Sequence, residues 1–324
     1  MFLSVEISSY NRGHILRLVL ERLAGQTYPA SRFEVIVSDD GSTDGTPEWV
    51  AEYAAQAPYH LELVRNDHAG CGSTHNNGIL RARGDVVLMI ADDVLPSPRL
   101  LEEHVRMHER NPDAAVGVVG RLEQSPMLPS TPFQTTWNRI VNSIFPRNRV
   151  ELDYRDFFVN NLSFKKAFMV ANGMFRSWPA ASHEDLELGY RLQQCGMRLL
   201  FCDEALAYHH HAETIDSIAR RSYAQGYQWQ LFETHVPDAW VRARSGNFRP
   251  GDSAAARWRF RGRLVARTVL FNRATIAIVV PLIRKSDTHA WLAPMVDLCA
   301  AKVSSYYFRK GLVDRRRGLP FRYV

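Results

Sequence analysis

Within the first 95 residues, short apolar runs alternate four times with segments of helical periodicity, and nothing else in the chain constrains its fold as strongly. Residues 2–9 read as a strand with Val5 and Ile7 on its apolar side. A helix follows with Ile15, Leu16, Val19, Leu20 and Leu23 on one face. Residues 33–37, 61–64 and 85–90 are the next three strands, separated by helices over Trp49, Val50 and Tyr53 and over Ile79 and Leu80. Such alternation predicts crossover connections and a parallel, doubly wound sheet. Ligands of open α/β sheets bind at the carboxyl edge.

The loops at that edge carry the polar chemistry. Ser8-Ser9-Tyr10-Asn11-Arg12-Gly13 follows the first strand, Ser38-Asp39-Asp40-Gly41-Ser42-Thr43-Asp44-Gly45 the second, and the fourth ends abruptly in Asp92-Asp93. Two adjacent carboxylates repel unless a cation or hydrogen-bond donors hold them, and a hard divalent ion is a natural occupant. The same acids also suit the N-cap of a helix opened by Pro96-Ser97-Pro98. Gly41 and Gly45 would let the backbone approach a ligand closely. No Gly-x-Gly-x-x-Gly follows the first strand and no Walker sequence occurs, which leaves the dinucleotide and P-loop classes without support.

With 324 residues, 46% of them hydrophobic, the chain is large enough for one α/β domain and an appendage. The chain opens on a strand, its first basic residue is Arg12, and its four cysteines show no Cys-x-x-Cys spacing; a reducing, cytoplasmic setting is expected. Charge is unevenly placed. Residues 1–256 hold 25 Lys+Arg against 31 Asp+Glu, whereas residues 257–324 hold 15 against 3. That tail faces something anionic or pairs with the acidic body.

Three blocks, Ser4 to Arg12, Val37 to Thr46 and Gly84 to Pro96, resemble the family 2 glycosyltransferases of the GT-A fold. A later segment agrees: Asn161-Leu162-Ser163-Phe164, Gly173-Met174-Phe175, His183-Glu184-Asp185 through Leu192, and Gly196-Met197-Arg198. The likeness covers residues 2–211 in order. It implies an α/β, Rossmann-like, mostly parallel sheet flanked by helices. With it comes a division into a catalytic domain over 1–215, its nucleotide-sugar half at 1–122 and its acceptor half at 123–215. A basic, mainly helical region is expected over 216–324.

The resemblance also assigns residues. Asp40 matches the carboxylate that binds the nucleotide base; uracil offers it an imide N–H and guanine a ring N–H, with UDP favoured. An Asx turn closing on Ser42 is the competing role for Asp40, and the expected one for Asp44. Ser9, Tyr10, Asn11, Arg12, Gly72, His75, Asn76 and Asp92 complete the implied nucleotide-sugar set, and Asp93 matches the metal ligand for Mn²⁺ or Mg²⁺. Two positions depart from the family: Ala91 replaces its first acid, and His75 stands where arginine is usual before Asn76. Asp185 matches the catalytic base, with Glu184 beside it in the first turn of an amphipathic helix. Capping of that helix is the plainer role. The helix N-terminus should keep Asp185 ionised while Glu184 raises its pKa. Of His209-His210-His211 at the end of a strand, His209 and then His211 are the candidate additional metal ligands, against a solvated histidine run.

Residues 123–160 resist reading because Pro126, Pro129 and Pro132 interrupt them, while Trp137, Phe145, Tyr154, Phe157 and Phe158 suit either core packing or sugar stacking. Trp178, before Pro179, is the candidate acceptor contact. Residues 217–232 read as a helix and 245–252 as a linker. Beyond it, Arg257-Trp258-Arg259-Phe260-Arg261-Gly262-Arg263-Leu264 and the apolar run 274–283 suit an anionic membrane surface, a homodimer contact or packing on the acidic body; no nucleic-acid motif is present. The run is about half of what spans a bilayer.

The expected activity is inverting transfer of a sugar from a nucleoside-diphosphate sugar, metal-assisted, with Asp185 as base. The acceptor is a saccharide, lipid-linked or small-molecule hydroxyl. An inactive binding scaffold and a nucleotidyltransferase are the alternatives; Gly13 alone does not make the Gly-rich loop that the latter needs.

Overall fold

The computed structural model describes residues 1–68, 70–142, 149–178 and 182–322. Phe145, Pro179 and the side chains of Arg263 and Leu264 lie outside the described residues. The chain packs as two compact units, Met1–Leu128 with Phe145–His211, and Pro129–Ile144 with Ala212–Val324.

The strands are β1 (Leu3–Ser9), β2 (Phe33–Asp39), β3 (His60–Arg65), β4 (Val86–Ile90), β5 (Val94–Pro96), β6 (Val116–Gln124), β7 (Glu151–Leu152), β8 (Asn161–Lys165) and β9 (Arg198–His209). The helices are α1 (Gly13–Ala24), α2 (Thr46–Ala54), α3 (Cys71–Arg81), α4 (Leu100–Arg110), α5 (Pro132–Asn142), α6 (Lys166–Ala171), α7 (Glu184–Gln194), α8 (Ile215–His235), α9 (Ala239–Ser245), α10 (Ala254–Leu270), α11 (Arg273–Lys285) and α12 (Ala293–Arg316).

In the first unit the sheet order is β3-β2-β1-β4-β8-β6-β9-β5, with β7 beside β9. The first four strands are parallel, as the alternation predicts. Past β4 the sheet is mixed: β8 is antiparallel to β4 and β6, and β5 to β9. Every residue of β1 from Leu3 to Ile7 is fully buried, Ser4 and Glu6 included, because helices cover both faces of the sheet. On α1, Leu16, Val19, Leu20 and Leu23 are fully buried at helical spacing, each contributing roughly 2 kcal/mol of apolar burial. Two registers bring the polar strand ends together. Ser9 pairs with Asp39, which levels the ends of β1 and β2. Val94 pairs with His209, which brings the end of β9 to Asp93.

The second unit is helical. α8 and α12 cross closely because glycines line the crossing: a Cβ on Gly226 would lie 1.8 Å from the Phe308 carbonyl oxygen. Ile276, Val279, Val280 and Ile283 of α11 join Val296 and Val303 of α12 in its core. α5 belongs here, with Phe133 in that core and Thr136 bonded to Asp297.

Candidate active site

After β1 the chain turns through Asn11, which adopts a left-handed φ of 52°. Its amide oxygen accepts from Thr43 N at 2.8 Å and its own N–H donates to Ser42 Oγ at 2.8 Å, tying the first loop to the second. The turn delivers Arg12 to the end of β4. There Nη1 donates to Asp92 at 2.8 Å and Nη2 to Asp93 at 2.7 Å, and Ser9 Oγ donates to Asp92 at 2.8 Å.

The two adjacent acids are thereby split. Burial drives the Asp92 pKa up to about 6, against the opposing charge of Arg12 and with help from Asp93. Burial acts on Asp93 too, but hydrogen bonding and charge from His209, then from Arg12, hold it well below the usual carboxylate range. Arg12 is correspondingly held more firmly charged, the acids outweighing its own burial.

His209 Nε2 lies 3.5 Å from Asp93 Oδ1 and His211 Nδ1 lies 3.7 Å from Asp93 Oδ2. His210 turns to Ser125 Oγ at 3.0 Å, as alternation along an extended chain requires. The three expected metal donors therefore meet, but Arg12 stands among them, its Nη2 3.4 Å from His211 Nδ1. Among the described residues no group of three His, Cys, Asp or Glu side chains is arranged to hold a metal ion. With the guanidinium on Asp93, the donor set does not fit a divalent ion.

Asp40 stands one residue beyond β2, its N–H donating to Ser9 O at 2.9 Å. Thr74 Oγ1 and Gly70 N donate to its Oδ1 at 2.7 and 3.3 Å, and His68 Nδ1 is 3.0 Å from Oδ2. Tyr10 stacks on His68 with ring centroids 4.5 Å apart, a partner for Asp40 and Tyr10 that sequence reasoning missed. The Asx turn belongs to Asp39 instead, whose Oδ2 accepts from Gly41 N and Ser42 N at 3.2 and 3.1 Å. Asp44 makes the turn expected of it, accepting from Thr46 N at 3.1 Å.

The second acid pair opens α7. His183 precedes it with a left-handed φ of 68°, and Ser182 N donates to Glu184. Asn11, Met174 and His183 are the only non-glycine residues with positive φ among the described residues. Glu184 and Asp185 are partly exposed, yet the surrounding protein desolvates them. Burial first, then the charge of Glu184, pushes Asp185 up to about 7. The N–H groups at the helix start oppose this without prevailing, contrary to the expectation that they would keep it ionised. Burial raises Glu184 as well. Among the described residues neither carboxylate has an ion-pair partner.

α3 connects the groups. His75, one of the implied nucleotide-sugar set, is buried, its Nδ1 2.7 Å from the carboxylate of the fully buried Glu6. Desolvation opposes it, but interaction with Cys71 and Glu6 raises the His75 pKa, and His75 in turn lowers the pKa of both Glu184 and Asp185. A Cβ on Gly78 would lie 2.7 Å from Glu6 Cγ, so glycine makes room for that acid. The Asn76 amide clamps the Phe175 backbone, donating to its O at 2.8 Å and accepting from its N at 2.9 Å. A Cβ on Gly72 would meet Arg176 O at 3.2 Å, so this loop packs directly on α3. Arg191 of α7 donates to Met174 O at 2.6 Å and pairs with buried Glu187, a further support absent from the expected set. Trp178 is half-buried in the same loop. A cleft of about 510 Å³ adjoins Arg12 through Gly13; its walls include Arg17, Asp44 and Trp49 but none of Asp40, Asp92, Asp93 or Asp185.

A family model described as Glycosyl transferase family 2 matches residues 4–168. Glycosyltransferase AglE of Haloferax volcanii is 35% identical over 105 residues, 32% of this chain and 34% of that protein. Validoxylamine A glucosyltransferase of Streptomyces hygroscopicus subsp. jinggangensis is 27% identical over 230 residues, 63% of this chain and 54% of the relative. The chain thus spans between a third and just over half of these relatives' lengths. Among solved structures, a mannosyltransferase from Pyrobaculum calidifontis in complex with GDP-Man and Mn²⁺ superposes with a TM-score of 0.64 at 19% identity, over 97% of this chain and 86% of that one. S. aureus TarS 1–349 gives 0.52 at 16% identity, over 99% and 93%. These likenesses bear out the expected GT-A fold, helical C-terminal region included.

Proposed function

Because the chain belongs to glycosyl transferase family 2 and is thus a transferase enzyme, we propose that it moves a sugar from a nucleoside-diphosphate sugar to an acceptor hydroxyl in one inverting step. The observation that carries this reading is the contrast between the acid pair at the end of β4 and the acid pair at the start of α7. Arg12 compensates Asp92 and Asp93, whereas Asp185 is left desolvated beside Glu184 with a pKa near neutrality, about 7. A carboxylate so poised suits a general base at working pH.

Asp40 takes the base of the nucleotide. Its oxygens are already shared among Thr74, Gly70 and His68, which suits the single imide N–H of uracil better than the paired donors of guanine. Tyr10, 43% exposed and stacked on His68, offers a face to the base. Arg12 is the cation that the diphosphate meets at the end of β1. With Arg12 on Asp93, the guanidinium is the positive charge this chain itself supplies to the departing diphosphate. The acceptor hydroxyl lies beside Asp185, with Trp178 along its path. As the acceptor oxygen bonds to the anomeric carbon, its proton passes to Asp185 and the sugar–diphosphate bond breaks with its electron pair leaving on the diphosphate.

A screen of UDP- and GDP-sugars, scored by nucleotide release with saccharide and lipid acceptors, tests the reading. Acceptor-dependent release that Asp185→Asn abolishes supports it. Nucleotide binding with no turnover for any pair would leave a binding scaffold in its place.

A further inference from the structure

α10 and α11 form a stretch unlike the rest of the molecule. Residues 254–285 hold eight Lys+Arg and no Asp or Glu. The same stretch leaves large apolar side chains in solvent. Trp258, Val265 and Leu270 of α10 and Ile278 of α11, together with Trp291 and Leu298 around the start of α12, are each 60–75% exposed. α11 shows that this is not a failure to find a core. Its Ile276, Val279, Val280 and Ile283 are buried, yet its outer residues Ala274, Ala277, Ile278 and Pro281 are apolar too. Arg273 and Arg284 bracket that outer strip.

Three occupants could cover such a surface, and the charges select among them. Arg284 is paired with Asp216, but a second copy of the chain would still set the exposed Arg259, Arg261 and Arg273 against their own counterparts, which disfavours self-association through these helices. Nucleic acid would meet the arginines but has no use for Val265, Leu270, Ile278 and Leu298. An anionic bilayer satisfies both sets at once: lipid phosphates take the guanidinium groups, while the apolar side chains enter the headgroup–acyl boundary and the tryptophans stay at the interface. No helix among the described residues is long and apolar enough to cross a membrane, so the contact is with its surface.

We propose that α10, α11 and the start of α12 dock the protein on an anionic lipid surface. The inference rests on the helical unit alone and stands or falls separately from the transferase reading. The test is co-sedimentation of the full chain with vesicles of phosphatidylcholine alone or mixed with phosphatidylglycerol, at low and high salt. Binding to the mixed vesicles only, weakened by salt, is expected. Trp258→Ser with Ile278→Ser and Trp291→Ser should weaken it about tenfold, as should Arg259→Glu with Arg261→Glu and Arg273→Glu. These side chains are exposed, so circular dichroism should be unchanged, and a blue-shifted tryptophan emission on vesicle addition reports insertion directly. Equal binding to both vesicle types, no binding to either, or binding undiminished in both triple variants would overturn the proposal. So would a dimer whose formation shields Trp258 and Trp291.

Discussion

Two carboxylate pairs, one just past the end of β4 and one at the start of α7, meet different surroundings. Asp92 and Asp93 are deeply buried but receive Arg12 at 2.8 and 2.7 Å, with His209 behind them. Glu184 and Asp185 are less covered, yet what opposes their desolvation is a few backbone N–H groups and the distant charge of His75. Asp93 is thereby held as an anion, whereas Asp92, pushed up to about 6, and the second pair can take up a proton. Adjacency of acids does not decide their chemistry; the cation within reach does.

The sharpest way to break this contrast is to remove the proton acceptor. Asp185→Asn should lower kcat by about 10²–10⁴-fold with nucleotide affinity unchanged, measured by product formation alongside calorimetric titration with UDP and GDP. Full turnover in that variant would strip the second pair of its role. Next in size is Arg12→Ala, which uncovers Asp92 and Asp93. Mn²⁺ titrated without nucleotide should bind about tenfold more tightly than to the wild type, while Arg17→Ala, which removes a charge from the helix that follows without touching the acids, should not. Equal Mn²⁺ affinity in Arg12→Ala and wild type would show that the guanidinium and the ion do not compete.

A subtler probe is the His75–Glu6 pair. His75→Asn deletes a charge that lowers the Asp185 pKa, so the alkaline rise of kcat/KM should move to higher pH while nucleotide binding persists. The smallest effect concerns stability, at two histidines that show what burial does without a counter-charge. His104 lies 2.8 Å from both Ser163 and Asn161 and His108 2.8 Å from Ser163, and burial depresses their pKa values to about 4 and about 3. The unfolded chain takes up these protons first, so Tm should fall as pH drops from about 6.5 towards 4. His104→Gln should flatten that dependence.

Much of the first unit was legible because its information is local. Four apolar runs of four to eight residues, each followed by turn residues and a helical stripe, specify the β1–β4 half and place Ser9, Asp40 and Asp93 at strand ends. The second half was harder. Asn161-Leu162-Ser163-Phe164 is too short a run for periodicity to reveal that β8 is antiparallel to β4. Nothing within residues 129–144 says that α5 packs in the helical unit, since its partner Asp297 is 161 positions from Thr136. The same holds at the site. His75 finds Glu6 across 69 residues and Arg12 finds the acids across about 80, so the burial of one and the bridging by the other are tertiary facts. Asp39 and Asp40 differ by one position along an extended strand, and only the strand's phase decides which closes the Asx turn.

The most direct measurement of the central contrast is the pH dependence of kcat/KM for the wild type and Glu184→Gln. The wild type should rise towards neutral pH as the Glu184–Asp185 pair loses a proton, and the variant, lacking the neighbouring charge, should rise at lower pH. A flat profile between pH 5.5 and 8.5, or an inflection that Glu184→Gln leaves in place, would contradict the assignment of the two acid pairs.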